Sequence, residues 1–254
     1  MVLESALNGL RARVARLEAV IEMFSDLLPA PKLYVSPTDR GFRFEQPDVR
    51  HFCLLKAVRV VSALNAAFEL ARDGYTQELA TLMRTLVECT RHIEYVLDID
   101  DSEPHRANVE KYLREFFDDA VRDPEADIKG VLIRDNKINE QLGKTLDRIV
   151  AQYGDTQDRV PADRLLWKSS RAFSFYVHAR YPECMDLYGG RPGRFHLRGM
   201  SGTPKDHENL ETLDTFITAA STTFVIMVQA ISPLREVVLR DQTLREWYRE
   251  RVGG

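Results

Sequence analysis

Two polar side chains that could share a site lie in a helix-forming stretch between residues 81 and 88. Arg84 and Glu88 are four residues apart, the spacing that brings two side chains together on one face of an α-helix. Both lie beside the apolar stripe of that helix, so a guanidinium and a carboxylate are expected close to the core. Such a pair forms either a structural network that fixes helix packing or a polar site held between helices.

A second spacing with chemical meaning joins Arg171 and His178. These residues are seven positions apart, so on a helix they return to nearly the same face about two turns away. An arginine can stabilise negative charge developing on a phosphate while an imidazole moves a proton. Together they suit metal-independent RNA cleavage that uses the substrate's 2′-hydroxyl. The alternative is a histidine that is hydrogen-bonded in the core or at the rim of an aromatic-rich helix.

The glycine-rich segment 189–205 is basic in a chain whose formal net charge is -4. Its basic side chains are Arg191, Arg194, His196, Arg198 and Lys205, and it has no acidic residue. Glycines let backbone amides approach an anion, and arginines offer forked donors to phosphate. The glycines match neither the dinucleotide-binding fingerprint nor the Walker pattern. We expect either an anion site or a solvated loop whose arginines pair with Asp186 or the region of Glu208 and Glu211.

Metal, cofactor and covalent chemistry have little support in the sequence. Glu88 and His92 share a helical face, but the Glu-x-x-His repeats of di-iron bundles and the His-Glu-x-x-His of zinc proteases are absent. The three cysteines form no Cys-x-x-Cys pair, which argues against a cysteine zinc site or a disulfide framework. We expect no metal and no cofactor, and the sequence leaves open whether the chain is an enzyme.

The elements that position these residues begin with a heptad pattern at the N-terminus. Apolar residues recur every seven positions in two interleaved series, which are Leu7, Val14, Ile21, Leu28 and Leu3, Leu10, Leu17, Phe24. This pattern is typical of a coiled-coil seam, so we predict a coiled-coil helix over residues 1–30 and a homodimer formed through it. The alternative is an amphipathic helix packed on its own domain.

The remaining chain predicts a short connection followed by a helical bundle. Residues 31–47 contain two extended pieces around a turn, which indicates a linker or a small hairpin. Residues 48–254 carry helical apolar spacing, with Asp48 suited to start a helix and Asp73-Gly74 suited to join two antiparallel neighbours. We expect an all-α multi-helix bundle of about six to eight helices.

Composition limits the partners of this chain. With 254 residues, 44% hydrophobic and 29% charged, it can bury a large helical core. Its acidic balance argues against a wholesale nucleic-acid or membrane-surface binder but allows a local basic patch. The apolar run 216–231 is too short and too polar for a confident membrane span, and the N-terminus lacks the pattern of a signal peptide. We expect a cytoplasmic protein with no membrane partner.

Two helical motifs carry a resemblance to a known family. Arg84-Thr85-Leu86-Val87-Glu88 is followed by Ile93-Glu94-Tyr95-Val96-Leu97, and Ser174-Phe175-Tyr176-Val177-His178 lies further along the chain. In these motifs the chain resembles a bacterial family of helical proteins known only as a domain of unknown function, whose pattern is an Arg-x-x-x-Glu helix followed by a Ser-x-x-x-His helix. The likeness spans roughly residues 52–231. It implies a polar centre formed by Arg84, Glu88 and His178, and it assigns no activity.

The spacing of Arg171 and His178, and that of Arg191 and His196, also fits arginine, four to six residues, then histidine. This motif is similar to that of the HEPN helical ribonucleases of toxin and antiviral systems. The similarity implies catalysis by Arg171 and His178 paired across a dimer, although Ala172 stands where that family usually has a polar residue.

Two functions follow from these patterns. The first is a regulatory or binding module whose polar centre at Arg84, Glu88 and His178 binds a small anionic ligand, with the basic loop at its mouth. The alternative is a HEPN-like metal-independent ribonuclease that acts on RNA.

Overall fold

A computed structural model describes residues 2–35, 40–98, 102–117, 175–188 and 194–252. Two strands, β1 (Lys32–Val35) and β2 (Arg40–Arg43), form an antiparallel hairpin. The helices are α1 (Val2–Asp26), α2 (Val49–Arg72), α3 (Thr76–Val96), α4 (Glu103–Phe117), α5 (Tyr181–Asp186), α6 (Lys205–Ala230), α7 (Ser232–Arg240) and α8 (Gln242–Val252). The predicted all-α bundle with one small hairpin is confirmed.

Helix α1 packs on the rest of its own chain. Both heptad series take part, because Leu7, Val14, Leu17 and Phe24 are buried in one core with side chains of α2 and α6. Arg13 adds a polar contact by pairing with Asp214 of α6 and donating a hydrogen bond of 2.7 Å to the hydroxyl of Thr218. Helix α1 is therefore an amphipathic helix packed on its own domain, which was the alternative interpretation of the heptads. A homodimer formed through this helix stays a prediction.

Helix α2 begins where the sequence indicated. Asp48 caps it by accepting hydrogen bonds from the backbone N–H groups of Arg50 (2.9 Å) and His51 (3.3 Å), and the His51 side chain completes a capping box. Burial alone would raise the pKa of Asp48, but hydrogen bonds from Arg50 and His51 outweigh it and lower the pKa to about 2. The Asp73-Gly74 turn then leads into α3, which packs along α2 as predicted.

Helix α6 is the central core helix and packs against α1, α2 and α3. Among the described helices it alone is long and apolar enough to cross a membrane, yet 56% of its apolar window is buried in the bundle, as in the core helix of a soluble protein. Proline cannot continue a preceding helix, so Ser232-Pro233 predicts a break or a kink after the apolar run. The end of α6 at Ala230 and the start of α7 at Ser232 confirm a break there. A second break at Asp241, which caps α8 through Leu244 N–H (2.8 Å), was not indicated by the sequence pattern.

Several sequence predictions fall on residues that the structure does not describe. The apolar spacing of residues 131–153 predicts a further helix, which lies outside the described ranges. Most of the aromatic-rich helix before Val177 lies outside them as well. So do the side chains of Arg171, Ser174 and Arg191.

Candidate functional site

Arg84 and Glu88 meet on helix α3, as their spacing predicted. The Arg84 Nε donates a hydrogen bond of 2.9 Å to Glu88 Oε1, and the two side chains remain 32% and 41% exposed. The two Nη groups of Arg84 have no hydrogen-bond or ion-pair partner among the described residues. Glu88 thus orients the guanidinium of Arg84 through Nε and leaves the two Nη groups without a described partner.

The pair continues into a charge series along α3, which consists of Arg84, Glu88, Arg91 and Glu94. Arg91 is buried, and burial lowers its pKa while the carboxylates of Glu94 and Glu88 oppose that shift. Burial raises the pKa of Glu94, while a hydrogen bond from Thr223 and the charge of Arg91 oppose the rise. The series therefore runs from Arg84, which is partly exposed, to its inner end at the buried Arg91 and the part-buried Glu94.

Sequence reasoning did not identify the inner end of this series. Thr223 of α6 donates a hydrogen bond of 2.5 Å from Oγ1 to Glu94 Oε1, across 129 residues of sequence. One local signal was present, because Glu88, Arg91 and Glu94 follow each other at three-residue spacing with alternating charge. That spacing could have extended the predicted pair into a series, but nothing in it points to Thr223.

His92 lies on the side of α3 that faces α4. Its Nδ1 is buried and finds no hydrogen-bond partner in the part of the chain that the structure describes. Burial, assisted by the charges of Lys56 and Arg91, lowers the pKa of His92 to about 3. The ring meets Tyr112 edge-on at 5.7 Å between centroids. His92 is therefore a neutral imidazole at physiological pH, and sequence reasoning considered it only as a weak metal ligand.

Helix α2 places two basic side chains near α3. Lys56 and Arg59 of α2 lie close enough to Cys89 to oppose the rise in its pKa that burial causes. Lys56 also helps to lower the pKa of His92. Lys56 and Arg59 therefore add positive charge beside Cys89, in a chain whose formal net charge is -4.

Two segments, residues 175–188 and 194–204, form a cap over the first turn of α3. The Met200 N–H donates a hydrogen bond of 2.8 Å to Gly74 O, and the Gln77 side chain donates to Glu183 O. Gln77 precedes Arg84 by seven residues, so it lies on nearly the same face of α3 at an axial distance of about 10 Å. The cap and the open guanidinium therefore occupy the same side of the helix.

Two glycines allow the cap to approach the α2–α3 turn. Gly199 has a φ of +80°, and a Cβ there would lie 1.9 Å from Asp73 O. Gly74 has a φ of +77°, and a Cβ there would lie 2.1 Å from Ser201 N. Both positions therefore need glycine for its backbone conformation and for the close approach.

The basic loop is only partly available to an anion. Arg194 and Arg198 are exposed and have no ion pair with any described residue. His196 is partly buried, and its backbone N–H donates to Leu187 O at 2.8 Å. Lys205 pairs with Glu208 at 2.7 Å and with Asp186 at 3.5 Å, the acidic residues that the surface-loop interpretation assigned to the arginines.

His178 lies in the cap, on an exposed turn before α5. Within the described ranges no hydrogen bond or ion pair joins it to Arg84 or to Glu88. Arg171 and Arg191 lie outside those ranges. The structure thus brings together two members of the predicted centre, and the contribution of His178 stays a prediction.

Nothing in the described part of the chain groups three or more His, Cys, Asp or Glu side chains in a way that could hold a metal ion. In comparisons with known proteins, no family profile, no curated protein and no solved structure matches this chain.

Proposed function

We propose that this chain is a cytoplasmic regulatory or binding module that holds a small anionic ligand at Arg84. The observation that carries the proposal is the geometry of that side chain. Glu88 fixes the guanidinium through Nε at 2.9 Å, while both Nη groups lack a partner among the described residues and the side chain is 32% exposed. A guanidinium that is fixed through Nε and has both Nη groups available is suited to bidentate binding of a phosphate or carboxylate.

Charge around Arg84 supports an anion over a cation or a neutral ligand. Its guanidinium is a fixed positive charge whose Nη groups have no partner among the described residues. Arg91 lies seven residues further along α3, on nearly the same helical face. The proposed ligand lies beside a partly buried guanidinium, where charges interact more strongly than in bulk water.

The cap supplies the mouth of the proposed site. Arg194 and Arg198 offer exposed guanidinium groups on the segment that Gly199 and Met200 fasten to the start of α3. The axial distance of about 10 Å between the cap contact at Gln77 and Arg84 leaves room for a ligand the size of one or two phosphates. His178 of the cap is the proposed third member of the centre.

A thermal-shift series tests the proposal. The probes are inorganic phosphate, pyrophosphate and citrate at constant ionic strength, with Arg84→Gln as the test variant and the exposed Arg240→Gln of α7 as the matched control. We expect at least one probe to raise the Tm of the wild type and of Arg240→Gln but not of Arg84→Gln, since a ligand stabilises only the state that binds it. Equal shifts in all three proteins, or none with any probe, would contradict the proposal.

The HEPN-like ribonuclease remains the competing hypothesis and needs a separate experiment. Single-stranded and structured RNA are incubated with the wild type, His178→Ala and Arg171→Ala in the presence of a chelator. Cleavage by the wild type that both variants lose would favour the enzyme. Intact RNA alongside an Arg84-dependent thermal shift would favour the binding module.

A further inference from the structure

Helix α4 meets the bundle through aromatic side chains. The Phe116 ring lies edge-on to the ring of Phe52 of α2, at 4.7 Å between centroids. The Tyr112 ring meets Phe52 in the same way at 5.5 Å, and it meets His92 of α3 at 5.7 Å. We call this junction of α2, α3 and α4 the aromatic seam.

Lys56 of α2 places an ammonium group in the aromatic seam. Its Nζ lies 5.0 Å from the centroid of Phe116 and 5.5 Å from that of Phe52, and the residue is partly buried. Among the described residues Lys56 forms no hydrogen bond and no ion pair. The ring faces attract the cation, but a carboxylate or phosphate would also accept its N–H groups. A cation withdrawn from water normally has such an anionic partner.

Arg59 adds a second cation one turn further along α2. It is exposed and forms no ion pair or hydrogen bond with any residue that the structure describes. The charges of Lys56 and Arg59 both act on Cys89 of α3, and like charges three residues apart on a helix repel each other. The carboxylate that acts on the same thiol belongs to Glu88, which already pairs with Arg84 at 2.9 Å. A bound anion would relieve the repulsion between the two cations.

His92 brings a neutral hydrogen-bonding group to the same place. Burial and the nearby charge of Lys56 lower its pKa to about 3, so the ring is uncharged at pH 7. The residue is partly exposed, and its Nδ1 is buried without a partner among the described residues. Only Nε2 can therefore reach a ligand, and a neutral imidazole that carries its proton there donates one hydrogen bond.

Exposed apolar side chains border the two cations. Phe116 is 36% exposed and Leu55 is 39% exposed. Phe116 contacts the Lys56 ammonium through its ring, and Leu55 shares a helical face with Arg59, four residues later. Cations beside apolar surface favour a ligand that has an anionic head and an apolar body, because inorganic phosphate would leave that surface in water.

We propose that the aromatic seam is a second anion site, which binds a small carboxylate with an aromatic or aliphatic body. The carboxylate lies between Lys56 and Arg59 and accepts hydrogen bonds from both of them and from Nε2 of His92. The body of the ligand covers the exposed ring of Phe116. This site uses none of the residues proposed to hold an anion at Arg84, so the two sites can be tested separately.

Titration of the full chain with benzoate and hexanoate, followed through the NMR signals of the ligands, tests the site. Their neutral amides, benzamide and hexanamide, have nearly the same shape and should not bind. We expect Lys56→Gln to weaken carboxylate binding by at least about tenfold, and the exposed Arg59→Gln by about threefold. Lys56→Arg keeps the positive charge and should bind more tightly than Lys56→Gln. Lys111→Gln, at an exposed lysine of α4, should match the wild type.

A crossed comparison separates this site from the one at Arg84. Arg84→Gln should keep benzoate binding, and Lys56→Gln should keep the thermal shift with phosphate or pyrophosphate. Loss of both kinds of ligand in either variant would show a single shared site and contradict the proposal. It would also be overturned by a wild type that binds neither carboxylate up to about 10 mM, by equal binding of benzoate and benzamide, or by benzoate binding that Lys56→Gln leaves unchanged.

Discussion

Thr223 of α6 donates a hydrogen bond of 2.5 Å to Glu94 of α3. This contact joins two core helices at the inner end of the charge series, while Arg84 and Glu88 at the other end stay partly open to solvent. Substitutions at the two ends of the series should therefore affect different properties of the protein. Changes at Glu94 and Thr223 should act on stability, and changes at Arg84 and Glu88 should act on ligand binding with little cost to the fold, because exposed ion pairs contribute little.

Thr223→Val should lower the free energy of unfolding by about 1–3 kcal/mol. The valine keeps the shape of threonine but removes the only described hydroxyl that donates to the part-buried Glu94 carboxylate, and an acceptor that loses its partner away from water is costly. Urea unfolding of Thr223→Val and Thr223→Ser gives the comparison. Serine keeps the donor, so a serine variant as unstable as the valine variant would contradict this role for the hydrogen bond.

His92 should make the fold sensitive to mild acid. Its pKa falls from 6.5 to about 3, chiefly through burial, so below pH 6.5 the unfolded chain takes up a proton that the folded chain does not. The stability is thus complete above the unfolded pKa and is lost as the pH falls toward the folded pKa. From pH 7 to pH 5 the loss due to this residue should be about 2 kcal/mol.

The measurement compares urea unfolding at the two pH values for the wild type and His92→Phe. Phenylalanine preserves the ring that meets Tyr112 and cannot take up a proton, so its stability should fall less between pH 7 and pH 5. An identical decrease in both proteins would show that other groups cause the acid sensitivity.

Gly199→Ala should loosen the cap more than Gly202→Ala. Both glycines have a positive φ, of +80° and +74°, so each substitution carries the conformational cost of about 1 kcal/mol. Only at Gly199 would the new Cβ also meet a neighbour, 1.9 Å from Asp73 O, whereas nothing lies within 4 Å at Gly202. Limited proteolysis should therefore cut the cap of Gly199→Ala sooner. Equal cutting of both variants would mean that the contact with Asp73 does not hold the cap.

Local features of the fold were readable from the sequence, and contacts distant in sequence were not. Asp48 and Ser232-Pro233 mark helix ends by their own chemistry, and Arg84 and Glu88 meet because one helical turn separates them. The heptads of α1 showed which face is apolar, but the same spacing serves a coiled-coil partner or the helix's own bundle. The bond between Thr223 and Glu94 depends on how α6 packs against α3, which no local pattern encodes.

The most direct test of the anion site is a calorimetric titration of the wild type, Arg84→Gln and Glu88→Gln with the probe that gives the largest thermal shift. Glutamine at position 88 keeps an oxygen that can accept from Arg84 Nε but removes the negative charge beside the open Nη groups. The account predicts that Arg84→Gln abolishes binding and that Glu88→Gln tightens it, by up to about tenfold at low ionic strength. Binding that survives in Arg84→Gln, or that Glu88→Gln leaves unchanged, would contradict it.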